Sequence, residues 1–193
     1  MAEAVQINLS NQFLIAMPGM SDDNFSGSVV YLCEHSDKGA LGLVINKPID
    51  IKLRNLFERV DLTLDREDLV EEPVFFGGPV QTERGFVLHD PIDDHTTHYS
   101  STLAVPGGLE MTTSKDVLEA LSAGSGPRRV LVTLGYAGWG AGQLEAEMAQ
   151  NAWLSGPADL DIVFRLPAEK RWEIAANRIG VDLAALSHDV GHA

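Results

Sequence analysis

The sequence has 193 residues and a single cysteine, Cys33. One thiol cannot close an intramolecular disulfide, and with no C-x-x-C pair there is neither a structural zinc clamp nor a redox dithiol. Long apolar runs are also missing. Phe13 to Met17, Val29 to Cys33 and Leu41 to Ile45 each cover five residues, against the roughly 20 that a helix needs to cross a bilayer. Cations are scarce: 14 Lys and Arg face 28 Asp and Glu, a formal net charge of −14. Residues 1 to 37 contain no Lys or Arg, so the basic start of a secretory or transit leader is absent. Together these shortages predict a cytoplasmic protein with no membrane partner.

The shortage of cations bears on nucleic acid too. Binding to DNA or RNA begins with Lys and Arg neutralising phosphates. The densest basic group, Lys47, Lys52, Arg54 and Arg59, is interleaved with Asp50, Glu58 and Asp61. Direct nucleic-acid binding is therefore disfavoured. What the sequence does have is apolar surface: 45% of residues are hydrophobic and spread along the whole length, enough to build a core in a chain of 20.9 kDa. We expect one domain over residues 1–193.

Phe13 to Met17, ended by Pro18-Gly19, and Ser28 to Glu34 read as strands. Leu41 to Ile45 follows Asp37-Lys38-Gly39, so it pairs with the second as a hairpin, and Asn46-Lys47-Pro48 closes it. Leu53, Leu56, Phe57 and Val60 recur at i, i+3, i+4 and i+7, which predicts an amphipathic helix. Val74 to Phe76 and Gly85 to Leu88 read as two strands around a Gly77-Gly78-Pro79 turn. Residues 89–101 read as a loop. Ser114 caps a predicted helix that Gly124 and Gly126-Pro127 stop. Arg129 to Leu134 is the clearest strand; it runs into a glycine-rich turn, Gly135 to Gly142, and a helix over 143–150. Asp161 to Phe164 reads as a short strand, followed by a helix from Pro167 bearing Trp172, Ala176 and Ile179 on one face. Mixed elements without βαβ alternation predict an α+β fold.

Five stretches carry a resemblance to a known family: Asn11 to Met20, Ser28 to His35, Gly39 to Pro48, Gly77 to Val80 with Arg84 to His89, and Leu134 to Trp139 with Gly142 to Glu145. In order and spacing the sequence resembles the AlgH/YqgE family of bacterial proteins over almost its whole length. The resemblance implies a single α+β domain of coiled, partly bifurcated, largely antiparallel sheets flanked by helices. It also implies a regulatory role, since the family's usual label is a regulator of alginate transcription, and it specifies no chemistry.

The candidate ligand-binding residues fall in three places. Gly135, Gly140 and Gly142, with Gly138 between them, leave backbone N–H groups open at a helix start. Tyr136, Trp139 and Gln143 sit beside them, so the segment either cradles a phosphate or packs tightly around its aromatics. The spacing G-x-G-x-G is not the dinucleotide fingerprint, and Glu145 and Glu147 follow it. Asn46 and Lys47 at a strand end, with Gly78 and Arg84, either form a small cationic pocket or serve turns and surface ion pairs. Trp139, Trp153 and Tyr136 either present an aromatic surface or fill the core.

Two further groups have weaker chemistry. His89, Asp90, Asp94, His95 and His98 either ligate a metal or form a solvated acidic loop. Cys33 and His35, two apart on one strand face, are too distant for proton transfer, and a buried structural thiol is the simpler reading. There is no G-x-S-x-G elbow and no other recognisable catalytic signature, and no cofactor is indicated. The leading expectation is a binding or regulatory protein acting through a protein or small-molecule partner. The alternatives are a nucleotide- or phosphate-binding protein or enzyme using residues 135–142, and a direct DNA-binding regulator.

Overall fold

A computed structural model describes residues 7–92 and 99–190, with side chains to 186. The chain runs β1 (Gln12–Ala16), β2 (Val29–Ser36), β3 (Gly39–Val44), β4 (Pro48–Lys52), α1 (Leu53–Arg59), β5 (Pro73–Phe76) and β6 (Val80–His89). It continues with β7 (Thr102–Ala104), β8 (Glu110–Thr112), α2 (Asp116–Ser122), β9 (Val130–Gly140) and α3 (Gln143–Ala149). β10 (Trp153–Pro157), α4 (Leu160–Phe164), α5 (Ala168–Arg178) and α6 (Leu183–Val190) complete it. The α+β expectation holds: the strands form a curled sheet in the order β10-β1-β2-β3-β9-β6-β8-β7, with β5 on β9 and β4 on β5. Neighbours are antiparallel except β5 and β9, which are parallel. Among the described residues no helix is long and apolar enough to cross a membrane.

β9 bifurcates the sheet. Its first limb pairs with β6 on one edge and β5 on the other, while its second limb, beyond Gly135, pairs with β3. Gly135 sits in the left-handed region at φ 80°, and Gly77 and Gly78 cross β9 just there. A Cβ on Gly78 would lie 2.1 Å from the Tyr136 carbonyl carbon, and one on Gly77 would lie 2.3 Å from the Gly135 oxygen. No side chain fits at this crossing. It corrects the expected turn, because β5 and β6 do not pair with each other but flank β9.

Strand alternation distributes the core. Val29 and Tyr31 face one apolar cluster, packed under α4, α5 and α6, while Val30 and Leu32 face a second with Leu144 of α3. A third gathers α1 and α2 around Phe57 and Leu121. Cys33 falls in a bulge between the Leu32–Gly42 and Glu34–Leu41 pairs. It is buried with Tyr31, and burial pushes its thiol up to about 12. His35, beyond the bulge, bonds instead to Leu9 and to Glu145 of α3. The bulge shifts the alternation by one, so the expected shared face of Cys33 and His35 is not found.

Other local expectations are corrected. Residues 161–164 form helix α4, because Asp159 caps it by accepting from the Asp161 and Ile162 amides. The strand of that region is β10. Residues 135–140 belong to β9 rather than to a turn. Ser114 does not cap α2 but donates to the Asp116 carboxylate. Pro48 opens β4 at its first position, where its missing N–H costs no ladder bond.

Candidate functional site

The second limb of β9 carries Trp139 onto the α3 side of the sheet, where Trp153 of β10 meets it with ring centroids 6.0 Å apart at 76°. Phe25 completes the group at 6.0 Å from Trp139 and 5.6 Å from Trp153. It comes from the loop that Pro18-Gly19 starts after β1. There the Asp22 carbonyl accepts from the Phe25 and Ser26 amides and its carboxylate from Asn24. This Asx-type turn pushes the aromatic ring out of an otherwise polar loop.

Glu147 joins the walls. Its Oε1 accepts from the indole N–H of Trp139 at 3.2 Å and of Trp153 at 3.0 Å, and its Oε2 accepts from Gln143 Nε2 at 2.9 Å. Gln143 Oε1 accepts from the Gly140 amide at 3.0 Å, which ties α3 back to β9. Outside the rings lies a cleft of about 560 Å³ with Met17, Met20, Asp22 and Gln150 among its lining residues. Glu147 is half-buried, and all three of its donors are neutral. The arrangement offers aromatic faces, thioethers and an acceptor carboxylate, which is equipment for recognition.

The sequence candidates divide around this cleft. Trp139 and Gln143 line it, with Gly138. Gly140 gives its amide to Gln143, and Gly142, at φ 74°, precedes α3. The first turn of α3 is occupied by Glu145, which accepts the Nε2–H of His35 at 2.5 Å; that bond holds its carboxyl below the usual range. The Leu9 amide donates to Nδ1 of the same ring at 3.0 Å, so the imidazole is neutral with its proton on Nε2.

Asn46 and Lys47 hold the loop behind Phe25. Asn46 accepts from the Val29 amide and donates to the Gly27 carbonyl at 2.8 Å, while Lys47 Nζ donates to the Asn24 carbonyl at 2.9 Å. Burial pulls the Lys47 ammonium down, opposed by Asp22 and Asp23. Gly78 and Gly135 serve the strand crossing. Tyr136 points to the other side of β9 and meets Phe86 edge-on at 5.4 Å. Arg84 lies 5.8 Å over Phe86 and bonds to Gln81 and Thr113, so it shares no partner with Lys47.

Sequence reasoning missed Glu147 and Phe25 as site residues. The signals were present: Glu147 stands four residues after Gln143 on one helix face, and Phe25 is a lone aromatic in a Ser-Asp-Asp-Asn loop.

A second, larger cavity of about 1250 Å³ is lined by Asp68, Asp90, Tyr99, Arg128, Arg129 and Arg165, among others. Every lining charge here except Arg128 has an ion-pair partner among the described residues. Arg129 Nη2 meets Asp90 at 2.7 Å, Arg66 at its margin meets Asp68 at 2.6 Å, and Arg165 meets Asp161 at 3.6 Å. His89, fully buried nearby, donates from Nδ1 to the Asp90 carbonyl at 2.8 Å and accepts at Nε2 from Thr112 at 2.7 Å. Burial lowers its pKa. With both ring nitrogens occupied, His89 has none left for a metal. Asp94, His95 and His98 lie outside the described residues.

Comparison with known proteins places this architecture. The family model described as AlgH-like matches residues 13–184. A UPF0301 protein of Cupriavidus metallidurans is 64% identical over 187 residues, 97% of this chain and 96% of the relative. One of Paraburkholderia phytofirmans is 63% identical over 188 residues, 97% of each. The solution structure of the AlgH protein from Pseudomonas aeruginosa is 48% identical over the full length of both chains, with a TM-score of 0.76. A Corynebacterium diphtheriae crystal structure, 20% identical over 96% of this chain and 94% of that one, shares the fold at a TM-score of 0.71.

Proposed function

The chain belongs to the AlgH-like family, and from that footing we propose that it is a cytoplasmic binding and regulatory protein whose site is the cleft beside Phe25, Trp139 and Trp153. The observation that carries this reading is Glu147, a half-buried carboxylate held by two indole N–H groups and one amide at the base of an open aromatic cleft. Such preorganised polar groups in an apolar wall fix the orientation of a ligand or of a partner's side chain. The charge of −14 favours an indirect route to any transcriptional effect, through the bound partner rather than through DNA.

The test is a titration of the protein with a neutral aromatic fragment library and with nucleotides, followed through the three indole N–H resonances and the backbone amides. Fragments are expected to shift Trp139 and Trp153 and to leave Trp172 in place, because Trp172 Nε1 donates to the Ala16 carbonyl on the sheet. Trp139→Leu should remove the response. Nucleotide shifts at Gly140 and Gly142, with the cleft silent, would replace this reading by a phosphate site on residues 135–142.

A further inference from the structure

Resting on the cleft reading above, we infer that the group seated beside Glu147 is a cation: the Arg or Lys side chain of a partner polypeptide, flanked by an apolar residue. The ionisable residues lining the cleft are Asp22 and Glu147, both acids. Lys47 donates to the Asn24 carbonyl, feels the charges of Asp22 and Asp23, and does not line the cleft. The half-buried Glu147 carboxylate thus meets neutral donors and no cation among the described residues. A carboxylate has about four acceptor positions, and three are filled.

An incoming guanidinium or ammonium would take the fourth and neutralise the charge. Its flat or methylene surface would lie against aromatic faces whose quadrupoles attract cations. An anion would meet repulsion from both carboxylates, and a neutral group would leave the charge uncompensated. The surrounding charge of −14 steers basic segments towards the surface. The flexible thioethers of Met17 and Met20 at the cleft suit the varied apolar neighbours of a polypeptide better than one rigid metabolite.

The probe is the acetylated amide Leu-Arg-Leu-Arg, compared by calorimetry and tryptophan fluorescence with the same peptide carrying citrulline, the neutral isostere, at both Arg positions. Measurements at about 0.15 M salt screen charges farther than roughly 8 Å. The Arg peptide is expected to bind at least about tenfold more tightly than the citrulline peptide. Glu147→Gln should erase that ratio, whereas Glu58→Gln on α1, the same change of net charge away from the cleft, should preserve it. If Glu147→Gln fails to fold, Asp22→Asn should reduce the ratio instead.

Equal affinities for the two peptides, or an equal loss in Glu58→Gln, would overturn the inference. N-acetylarginine amide binding as tightly as the peptide would overturn the polypeptide as its source. If both peptides bind equally but only with Trp139 present, the cleft stands and the cation falls. If neither depends on Trp139, both readings fall.

Discussion

The two cavities treat charge in opposite ways. In the larger one, Arg129 and Arg165 each meet an aspartate, as does Arg66 at its margin, and the buried His89 has a partner at each nitrogen, so Arg128 is the one lining charge left without a counter-ion among the described residues. In the aromatic cleft, a carboxylate is satisfied as a hydrogen-bond acceptor and left unmatched as a charge. Hydrogen bonding and charge balance are separate requirements. Where both are met, as at Arg129 and Asp90, the groups belong to the scaffold; where only the first is met, as at Glu147, a charge is left for the ligand proposed above.

The contrast is broken most severely from the cleft side. Trp153 is 3% exposed and shares Glu147 with Trp139. Trp153→Ala is expected to cost about 3–5 kcal/mol in chemical denaturation, with the Trp139 indole resonance displaced. A change confined to a few tenths of a kcal/mol would mean that the cluster is not packed as described.

The larger cavity can be made to resemble the cleft. Arg129→Ala leaves Asp90 without its counter-ion, and because the pair is partly solvated, a loss of about 1–2 kcal/mol is expected. The double variant Arg129→Ala, Asp90→Ala should recover part of it in a double-mutant cycle. Additive losses would show that the charges act independently.

The smallest effect is a slope. The pKa of His89 is lowered in the fold by burial, so on acidification the unfolded chain takes up its proton first. Its contribution is therefore present above the unfolded value of about 6.5 and is lost as pH falls towards the depressed folded value. Urea midpoints above and below that window should show a difference between wild type and His89→Asn of at most about 1.4 kcal/mol per pH unit. Parallel curves would remove His89 from the acid response.

Local signals account for what the sequence revealed. β1, the β2–β3 hairpin and α1 follow from apolar period and Pro-Gly punctuation, and each lies close to where the pattern placed it. α4 was misread because a five-residue apolar run looks the same in either state, and the Asp159 cap decides it. The glycines after Leu134 were misread as a turn because the sequence cannot show that another backbone crosses at Gly135. Trp139 and Gln143 were legible as neighbours, and both line the cleft. Asn46 and Lys47 were read as candidates, and in the structure both bond to the backbone around the Phe25 loop. Glu147 draws its meaning from Trp153, which reaches it only once β10 has joined the sheet.

That joining sets a schedule. β1 has β2 on one edge and β10 on the other, so its second neighbour lies some 140 residues downstream along the chain. During synthesis Phe25 emerges early and waits, since Trp139 is made only after 138 residues and Trp153 only after 152 of the 193. At about 5–20 residues per second, that interval lasts on the order of ten seconds. The aromatic cleft is therefore completed late, and a chain that stalls before Trp153 carries much of the scaffold without the completed cleft.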